Sequence, residues 1–236
     1  AAVTPSEAAG YTGFAQTIIA FELIEVLKSY GSARIDVADD ANLGPILDFP
    51  TAIAEVRSLL ESAQSNLNSA GSAFVFNLAG FEGFDTPSTF SQFNRAVAAV
   101  AALYAGANSD ARTYLSSSYF SLSGDLRTGP KHVFSTSSGD LTNPIYKGPS
   151  EPGAPNNGDQ IIVHDSWIND AEAGDTRVTE KAALRTDPSI QDGLTGTHET
   201  RLYASNISSI EMLRNEELIL VYAEAQIGSN NGEAVS

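Results

Sequence analysis

The chain contains no cysteine, which excludes disulfide bonds, thiolate zinc sites and cysteine nucleophiles together. It also has few cations, since 13 Lys and Arg stand against 29 Asp and Glu, a formal net charge of −16. Binding to a nucleic-acid backbone needs clustered cations, and no stretch of the sequence gathers them. We therefore expect no nucleic-acid partner. The acidic surface is expected to serve solubility, or to suit neutral and cationic ligands.

Long apolar runs are missing as well. No 18-residue apolar stretch could span a bilayer, and the first residues lack the basic and apolar regions of a signal peptide. Any export signal or lipid-bearing Cys is therefore expected to lie outside this sequence. The 236 residues, 42% of them apolar, are enough to bury a core, and we expect a single domain over 1–236.

Helical periodicity is present in the first half of the chain and again at its end. Helices are predicted over 5–30, ended by Gly31, and over 50–69, 88–106, 109–120 and 209–228. The inward positions are predicted to be Phe14, Ile18, Phe21, Ile24 and Leu27, then Ile53, Val56, Leu60, Ala63 and Leu67, then Phe93, Val97, Val100 and Tyr104, and finally Ile210, Leu213, Leu218, Val221, Tyr222 and Ala225. Residues 5–120 and 209–236 are thus predicted to form a helical scaffold.

Residues 121–208 differ from this scaffold in composition. Gly, Pro, Asn, Thr and Ser occur throughout, and apolar runs such as "HVF" and "QIIVHDSW" are short. This pattern predicts a loop-rich lobe with a few short strands, suited to displaying a ligand site.

Two helix–turn junctions in the sequence are similar to each other: "AALYAGANSDARTYL" and "YAEAQIGSNNGEAVS". In each, small residues end a helix, Gly106 or Gly228 makes the turn, and Ala111 or Ala234 begins the next helix. Small residues let two helices approach closely, which is how tetratricopeptide helix pairs pack. The predicted fold is mainly α, with tetratricopeptide-like antiparallel helix pairs and the loop-rich lobe.

The closing segment "IEMLRNEELILVYAEAQIGSNNGEA" resembles the signature of the SusD/RagB family of outer-membrane nutrient-binding lipoproteins. The match is carried by Arg214, Glu217, Leu220, Tyr222, Ala223, Glu224 and Ala225. Four further segments resemble the family in order: "GFAQTIIAFELIEVLKSYG", "AIAEVRSLLESAQSNL", "FNRAVAAVAALYAGANSDA" and "GDTRV". The chain lacks the family's lipidated Cys and the segment beyond "AEA", so we expect a central portion or an unusually short member.

The resemblance implies a binding protein with no enzymatic activity. Such a protein is anchored at the outer-membrane surface by a lipid, here on a Cys that this sequence does not contain. It caps a TonB-dependent, SusC-like transporter and captures nutrients for uptake. Oligosaccharide is the first ligand class that the resemblance implies, and peptide is the second.

Aromatic side chains outside the predicted helices are the candidate ligand contacts. A sugar ring lays its apolar C–H faces on an aromatic plane, while its hydroxyls need Asn, Asp or Arg neighbours. Trp167 beside Asn169 and Asp170 fits this pattern best, and the other candidates are Tyr146, Tyr203, Phe81 and Phe84. The alternative is that these aromatics anchor the lobe to the scaffold, which we favour for the Phe residues.

No catalytic or metal motif is found, and no cofactor is expected. The three histidines, His132, His164 and His198, are far apart in sequence, and neither HExxH, GxSxG nor GxxxxGK is present. The acidic stretches 36–48 and 164–175 are interpreted as solvated loops, with opportunistic calcium binding as the alternative. Two other functions stay open: an assembly protein whose final repeat binds a partner helix or a second copy, and a glycan hydrolase.

Overall fold

The computed structural model describes residues 2–37, 39–150, 152–153 and 160–234. It divides into a helical unit, residues 1–131 and 211–236, and a strand-bearing unit, residues 132–210. The fold is mainly α with a few short antiparallel strands, which confirms the prediction in those coarse terms.

The elements follow in this order: α1 (Pro5–Tyr30), β1 (Ser32–Ala33), β2 (Leu47–Asp48), α2 (Phe49–Ser69), α3 (Pro87–Tyr104), α4 (Asn108–Leu115), β3 (Lys131–His132), β4 (Ile162–Val163), α5 (Asp165–Asn169), α6 (Thr176–Lys181), β5 (Ala182–Gln191), β6 (Leu194–Thr200), β7 (Ile210–Glu211), α7 (Asn215–Gln226) and α8 (Asn231–Ala234). Within the described residues, no helix is both long and apolar enough to cross a membrane.

The long first helix begins and ends at the predicted residues. The Thr4 side chain accepts a hydrogen bond from the backbone N–H of Glu7, whose carboxylate in turn accepts one from Thr4, so two otherwise unpaired donors are satisfied. Gly31 ends α1 with a φ of +68°, a conformation that glycine adopts without strain.

The middle of the helical unit is α3. Its alanines are almost fully buried, and α3 packs against α1, α2, α4 and α7. Because alanine side chains are small, several helices can approach the same helix closely. The five predicted inward positions of α2, Ile53 to Leu67, are all buried, which confirms that prediction.

A polar group lies in the middle of this core and is fully hydrogen-bonded. The Asn94 amide donates to the Thr17 hydroxyl at 2.9 Å and to the Leu60 carbonyl, and its oxygen accepts from Arg95 Nε at 2.9 Å. Arg95 also pairs with Glu61 at 2.8 Å. The network joins α1, α2 and α3, and a buried polar group that lacks such partners would be destabilising.

Three helix predictions are wrong in detail. The helix predicted over 109–120 is shorter, because α4 ends at Leu115. The predicted helix 209–228 begins only at Asn215, because residues 210–211 form β7, which pairs with β3. Tyr104 is exposed rather than inward-facing, and its ring lies at 6.5 Å from the Phe49 ring. Leu213, Leu218, Val221 and Ala225 are buried as predicted, while Ile210 and Tyr222 are half-buried.

Residues 121–131 belong to the helical unit, although composition placed them in the predicted lobe. The Ser121 N–H donates to the Asn215 side chain at 2.9 Å, and Arg127 Nε donates to Glu211 at 2.9 Å. The strand-bearing unit therefore begins at His132.

The strand-bearing unit contains a three-stranded antiparallel sheet in the order β4-β6-β5. Asp192 and Gly193 form the two-residue turn of the β5–β6 hairpin, and both have positive φ, 53° and 80°. Asp-Gly is a preferred sequence for such a turn. The pairing is irregular between Leu184 and Ser189, where Pro188 has no N–H to donate.

A buried ionic network lies within this unit. Glu199 is only 2% exposed, and its carboxylate accepts from Arg185 Nη1 at 2.9 Å, from Arg201 and from the Ser150 N–H at 3.0 Å. Burial by itself raises the pKa of Glu199, but the Ser150 and Arg201 hydrogen bonds outweigh it and lower the pKa. The carboxylate is therefore charged and holds three segments of the unit together.

Candidate functional site

A surface depression of about 830 Å³ lies on the strand-bearing unit around α5 and α6. We call it the Trp167 depression, and its lining residues are Ser166, Trp167, Asp170, Ala171, Glu172, Ala173, Gly174, Asp175, Arg177, Val178 and Lys181. The volume lies within the range typical of small-molecule binding sites. Trp167 is the chain's one tryptophan, and it is 40% exposed.

Local hydrogen bonds place Trp167 at this surface. The His164 side chain caps α5 by accepting from the Ser166 N–H at 3.2 Å, and its Nδ1 lies 2.8 Å from the Ser166 hydroxyl. The N–H of Asp170 donates to the Ser166 carbonyl at 2.8 Å and ends the helix. A five-residue helix capped at both ends holds Trp167 one turn from Asp170.

The part of the depression lined by α6 is held by a capped helix and an ion pair. Gly174 has a φ of +92°, which turns the chain into α6, and Asp175 caps that helix by accepting from the Arg177 N–H at 3.0 Å. The Arg177 guanidinium also donates to both carboxylate oxygens of Asp175, at 2.8 and 2.6 Å. This bidentate geometry fixes both side chains.

The ion pair also fixes the charge state of its members. Hydrogen bonds from Arg177 lower the pKa of Asp175, and those same bonds raise the pKa of Arg177. Both groups therefore stay ionised near neutral pH. Asp170 and Glu172 add exposed carboxylates and Lys181 an exposed ammonium group, so that three acids and two bases line the depression.

This arrangement offers one apolar plane among many polar groups. The carboxylates accept hydrogen bonds from hydroxyl or ammonium donors, and Arg177 and Lys181 donate to oxygen acceptors. An exposed indole edged by such groups can bind a ligand that has both apolar faces and many hydroxyls.

The predicted ligand residues fall in three places. Trp167 and Asp170 line the depression together. Asn169 is exposed at the end of α5 beside them, without lining it. Tyr146 and Tyr203 are half-buried elsewhere in the strand-bearing unit and do not line it either.

Phe81 and Phe84 were the wrong choice as ligand contacts, because both are buried in the core of the helical unit. The Phe81 ring lies 5.6 Å from the Phe90 ring, and the Phe84 ring packs edge-on at 4.9 Å against Tyr119. Rings enclosed in this way cannot serve as a platform for a ligand. Both rings pack within the helical unit itself, so they hold the loop 71–87 on the helices of that unit.

Arg177 and Lys181 line the depression, although they are not among the ligand contacts predicted from the sequence. The segment "GDTRV" contained a signal for this end of the site, because an Asp before a short helix is a preferred cap and accepts from a backbone N–H of the first turn, here that of Arg177. Lys181 carried no comparable signal, since a lone Lys at the end of a short helix is common.

Metal ligation finds no support in the described residues, where no group of three or more His, Asp or Glu is placed to hold an ion. In the stretch 36–48, Ala38 lies outside the described residues. The Asp39 carboxylate accepts a hydrogen bond from the backbone N–H of Ala41 at 3.0 Å. The His198 ring nitrogen bonds to the neighbouring Thr197 hydroxyl at 3.0 Å.

Comparison with known proteins identifies no relative: no known family, no curated protein and no solved structure matches the chain. The resemblance to the SusD/RagB family therefore stays a prediction that rests on the sequence segments quoted above.

Proposed function

We propose that this protein is a non-enzymatic, cell-surface binding protein that captures oligosaccharides at the Trp167 depression. The observation that carries the proposal is the exposed indole of Trp167 on a depression lined by five charged side chains. Peptide is the competing ligand class, because carboxylates and an aromatic plane also suit a basic or aromatic peptide.

The fit to a sugar is physical. One face of a pyranose ring is apolar and packs on an indole plane, whereas its edges carry hydroxyls. Asp170 and Glu172 can accept hydrogen bonds from sugar hydroxyls. Arg177, already fixed by Asp175, can donate hydrogen bonds to ring and hydroxyl oxygens without losing further side-chain freedom. Because acids outnumber bases three to two, neutral sugars or amino sugars should bind better than uronates.

We further propose that the helical unit is a tetratricopeptide-like scaffold in a nutrient-uptake complex. Three residues connect α3 to α4, and Gly106 makes the turn with a φ of +71°, which supports antiparallel pairing there. By the SusD/RagB resemblance, the partner is a TonB-dependent, SusC-like transporter at the outer membrane, and the anchor is a lipid. A transporter gene beside the gene for this protein would support this proposal.

The ligand can be identified through the protein's own fluorescence. Trp167 is the one tryptophan, so stacking of a sugar on its ring should change the emission intensity and wavelength directly. We would titrate the protein with panels of neutral, amino-sugar and uronate oligosaccharides and of short peptides. Saturable changes with neutral glycans are expected, with weaker responses to uronates.

Variants then locate the site. Trp167→Ala should weaken binding of the identified glycan by about tenfold or more, equivalent to about 1.4 kcal/mol, as measured by calorimetry. Tyr146→Ala is the matched control, because Tyr146 is an aromatic of the same unit outside the depression. Equal affinities for wild type and Trp167→Ala would refute the site, and product release from the glycan would refute the non-enzymatic function.

A further inference from the structure

The cap at the start of α5 depends on a histidine that acts as a hydrogen-bond acceptor. Nδ1 of His164 accepts from the backbone N–H of Ser166 at 3.2 Å and lies 2.8 Å from the Ser166 hydroxyl. A backbone N–H can only donate, so Nδ1 carries no proton here and the neutral ring holds its proton on Nε2. The caps of α1, α2, α3 and α6 are instead oxygens of Thr or Asp, which accept hydrogen bonds at acidic and neutral pH alike.

Helix α5 has little packing to hold it in place. None of its five residues is buried, and a helix of this length is marginal in water without other support. The N–H of Trp167 donates to the His164 carbonyl at 3.0 Å, so the indole belongs to the turn that the cap closes. Loss of the cap therefore acts directly on the position of Trp167.

We propose that His164 is a positioning residue for Trp167, and that only its neutral form has this role. When the ring takes up a proton, Nδ1–H donates to the Ser166 hydroxyl, and the Ser166 N–H loses its acceptor. A positive charge at this end of a helix is also unfavourable, because the free N–H groups there carry partial positive charge. Histidine changes its charge between about pH 5 and 8, so the first turn of α5 opens as the pH falls through that range.

Carboxylates lie close to His164 on its own helix and on the neighbouring hairpin. A second depression, of about 480 Å³, is lined by His164, by Asp165 at the start of α5 and by Asp192 in the β5–β6 turn. The described residues that line it include no Lys or Arg. The two carboxylates therefore offer the imidazolium partners that compete with Ser166.

Other charged groups face this region from β6 and from the Trp167 depression. On β6, His198 lies opposite Val163, and Glu199 lies opposite Ile162 with its carboxylate held by two arginines. Ser166 also lines the Trp167 depression, whose charged groups are Asp170, Glu172, Asp175, Arg177 and Lys181. Among the groups on β6, His198 is the second histidine, and the experiment must separate its titration from that of His164.

The consequence for ligand capture rests on the function proposed above. Loss of an N-cap shifts a helix equilibrium by about 2- to 30-fold. The affinity of a site falls in proportion to the fraction of the protein that is competent to bind. Capture at the Trp167 depression should therefore be strongest at neutral pH, and acidification should release the bound oligosaccharide.

Acrylamide quenching of tryptophan fluorescence tests the positioning without any glycan. The signal comes from Trp167 alone, since the chain has one tryptophan. The quenching constant, obtained from fluorescence lifetimes, should rise about twofold in the wild type as the pH falls through the range in which histidine titrates, because an indole that is 40% exposed becomes almost fully exposed.

Three variants assign the pH dependence to the cap. His164→Asn keeps a side-chain cap that does not titrate, so its quenching constant should stay low at every pH. His164→Ala has no cap, so its constant should be high at every pH. His198→Asn is the matched control, because it removes the histidine of the neighbouring strand, and it should show the same rise as the wild type.

Two results would overturn the role of His164: a wild-type quenching constant that does not change with pH, or an equal rise in His164→Asn. Neither result would count against capture of oligosaccharides at Trp167, since the measurement contains no glycan. Conversely, a glycan panel without any binding would refute the proposed function and leave the quenching result as it stands.

Discussion

Helices α1 and α2 approach each other so closely at Gly13 that a methyl group does not fit. A Cβ on Gly13 would lie 2.8 Å from Leu67 Cγ and 3.0 Å from both the Ala63 carbonyl oxygen and the Leu67 backbone nitrogen. Backbone atoms in the middle of a helix cannot move aside. At Gly10, one turn earlier, a Cβ would lie at ordinary distances, 3.5 Å from the Phe74 ring and 3.7 Å from Ala70 Cβ.

The two glycines therefore predict opposite outcomes for the same substitution. In a helix interior, Ala is more favourable than Gly by about 0.5–1 kcal/mol. Gly10→Ala should raise the free energy of unfolding by this amount. Gly13→Ala gains it too, but overpacking costs about 1–3 kcal/mol, so we expect a net loss of stability of up to about 2.5 kcal/mol.

Urea unfolding followed by far-UV circular dichroism measures both variants against the wild type. Since most of the helix lies in the helical unit, the signal reports mainly on that unit. Gly10→Ala should raise the midpoint and Gly13→Ala should lower it, with unchanged slopes. If Gly13→Ala proved as stabilising as Gly10→Ala, the close α1–α2 contact would be wrong.

Three further predictions concern stability. Glu199→Gln removes the anion that Arg185 and Arg201 surround and should destabilise the strand-bearing unit by about 3–5 kcal/mol, seen as faster limited proteolysis between residues 132 and 210. Folding lowers the pKa of Glu199, so the wild-type carboxylate should stabilise the unit at pH values above 4.5, the ordinary pKa of a Glu, and lose this effect as the pH falls below that value. A proteolysis rate that does not depend on pH would contradict this. In the helical unit, Leu60→Ala should cost about 2–5 kcal/mol of unfolding free energy because Leu60 is fully buried. The exposed Leu220→Ala should change it by less than about 0.5 kcal/mol, and equal effects would refute the assigned core.

The helices that the sequence predicts well are those with strong local signals at both ends. Thr4, Pro5 and Gly31 bound α1, and the apolar spacing of α2 is regular from Ile53 to Leu67. Such caps and periodicity depend only on neighbouring residues, so a single sequence contains them.

The misassigned segments depend on partners distant in sequence. Residues 210–211 form a strand because β3 pairs with them, and Phe84 is buried because Tyr119 packs against it. Neither partner is evident from local composition. The β5–β6 hairpin, by contrast, carried a local signal in Asp192-Gly193 that could have identified it.

The candidate ligand site was predictable only where its residues are close neighbours in the sequence. Trp167 lies on α5 and Asp170, three residues later, is the C-cap of that helix, so their proximity follows from sequence. Arg177 and Lys181 reach the depression through the turn at Gly174, whose geometry the composition did not specify.

The position of α7 has a consequence for synthesis on the ribosome. The Tyr119 hydroxyl and the Ser121 amide bond to Leu213 and Asn215, each 94 residues further along the chain. At about 5–20 residues per second, those partners emerge about 5–20 s after the segment that they cover. During that interval the surface of α3 and α4 that α7 buries is open to water and to other nascent chains. A chaperone that binds apolar surface would have its opportunity there, and an arrested chain ending before residue 211 should be the form that such a chaperone retains.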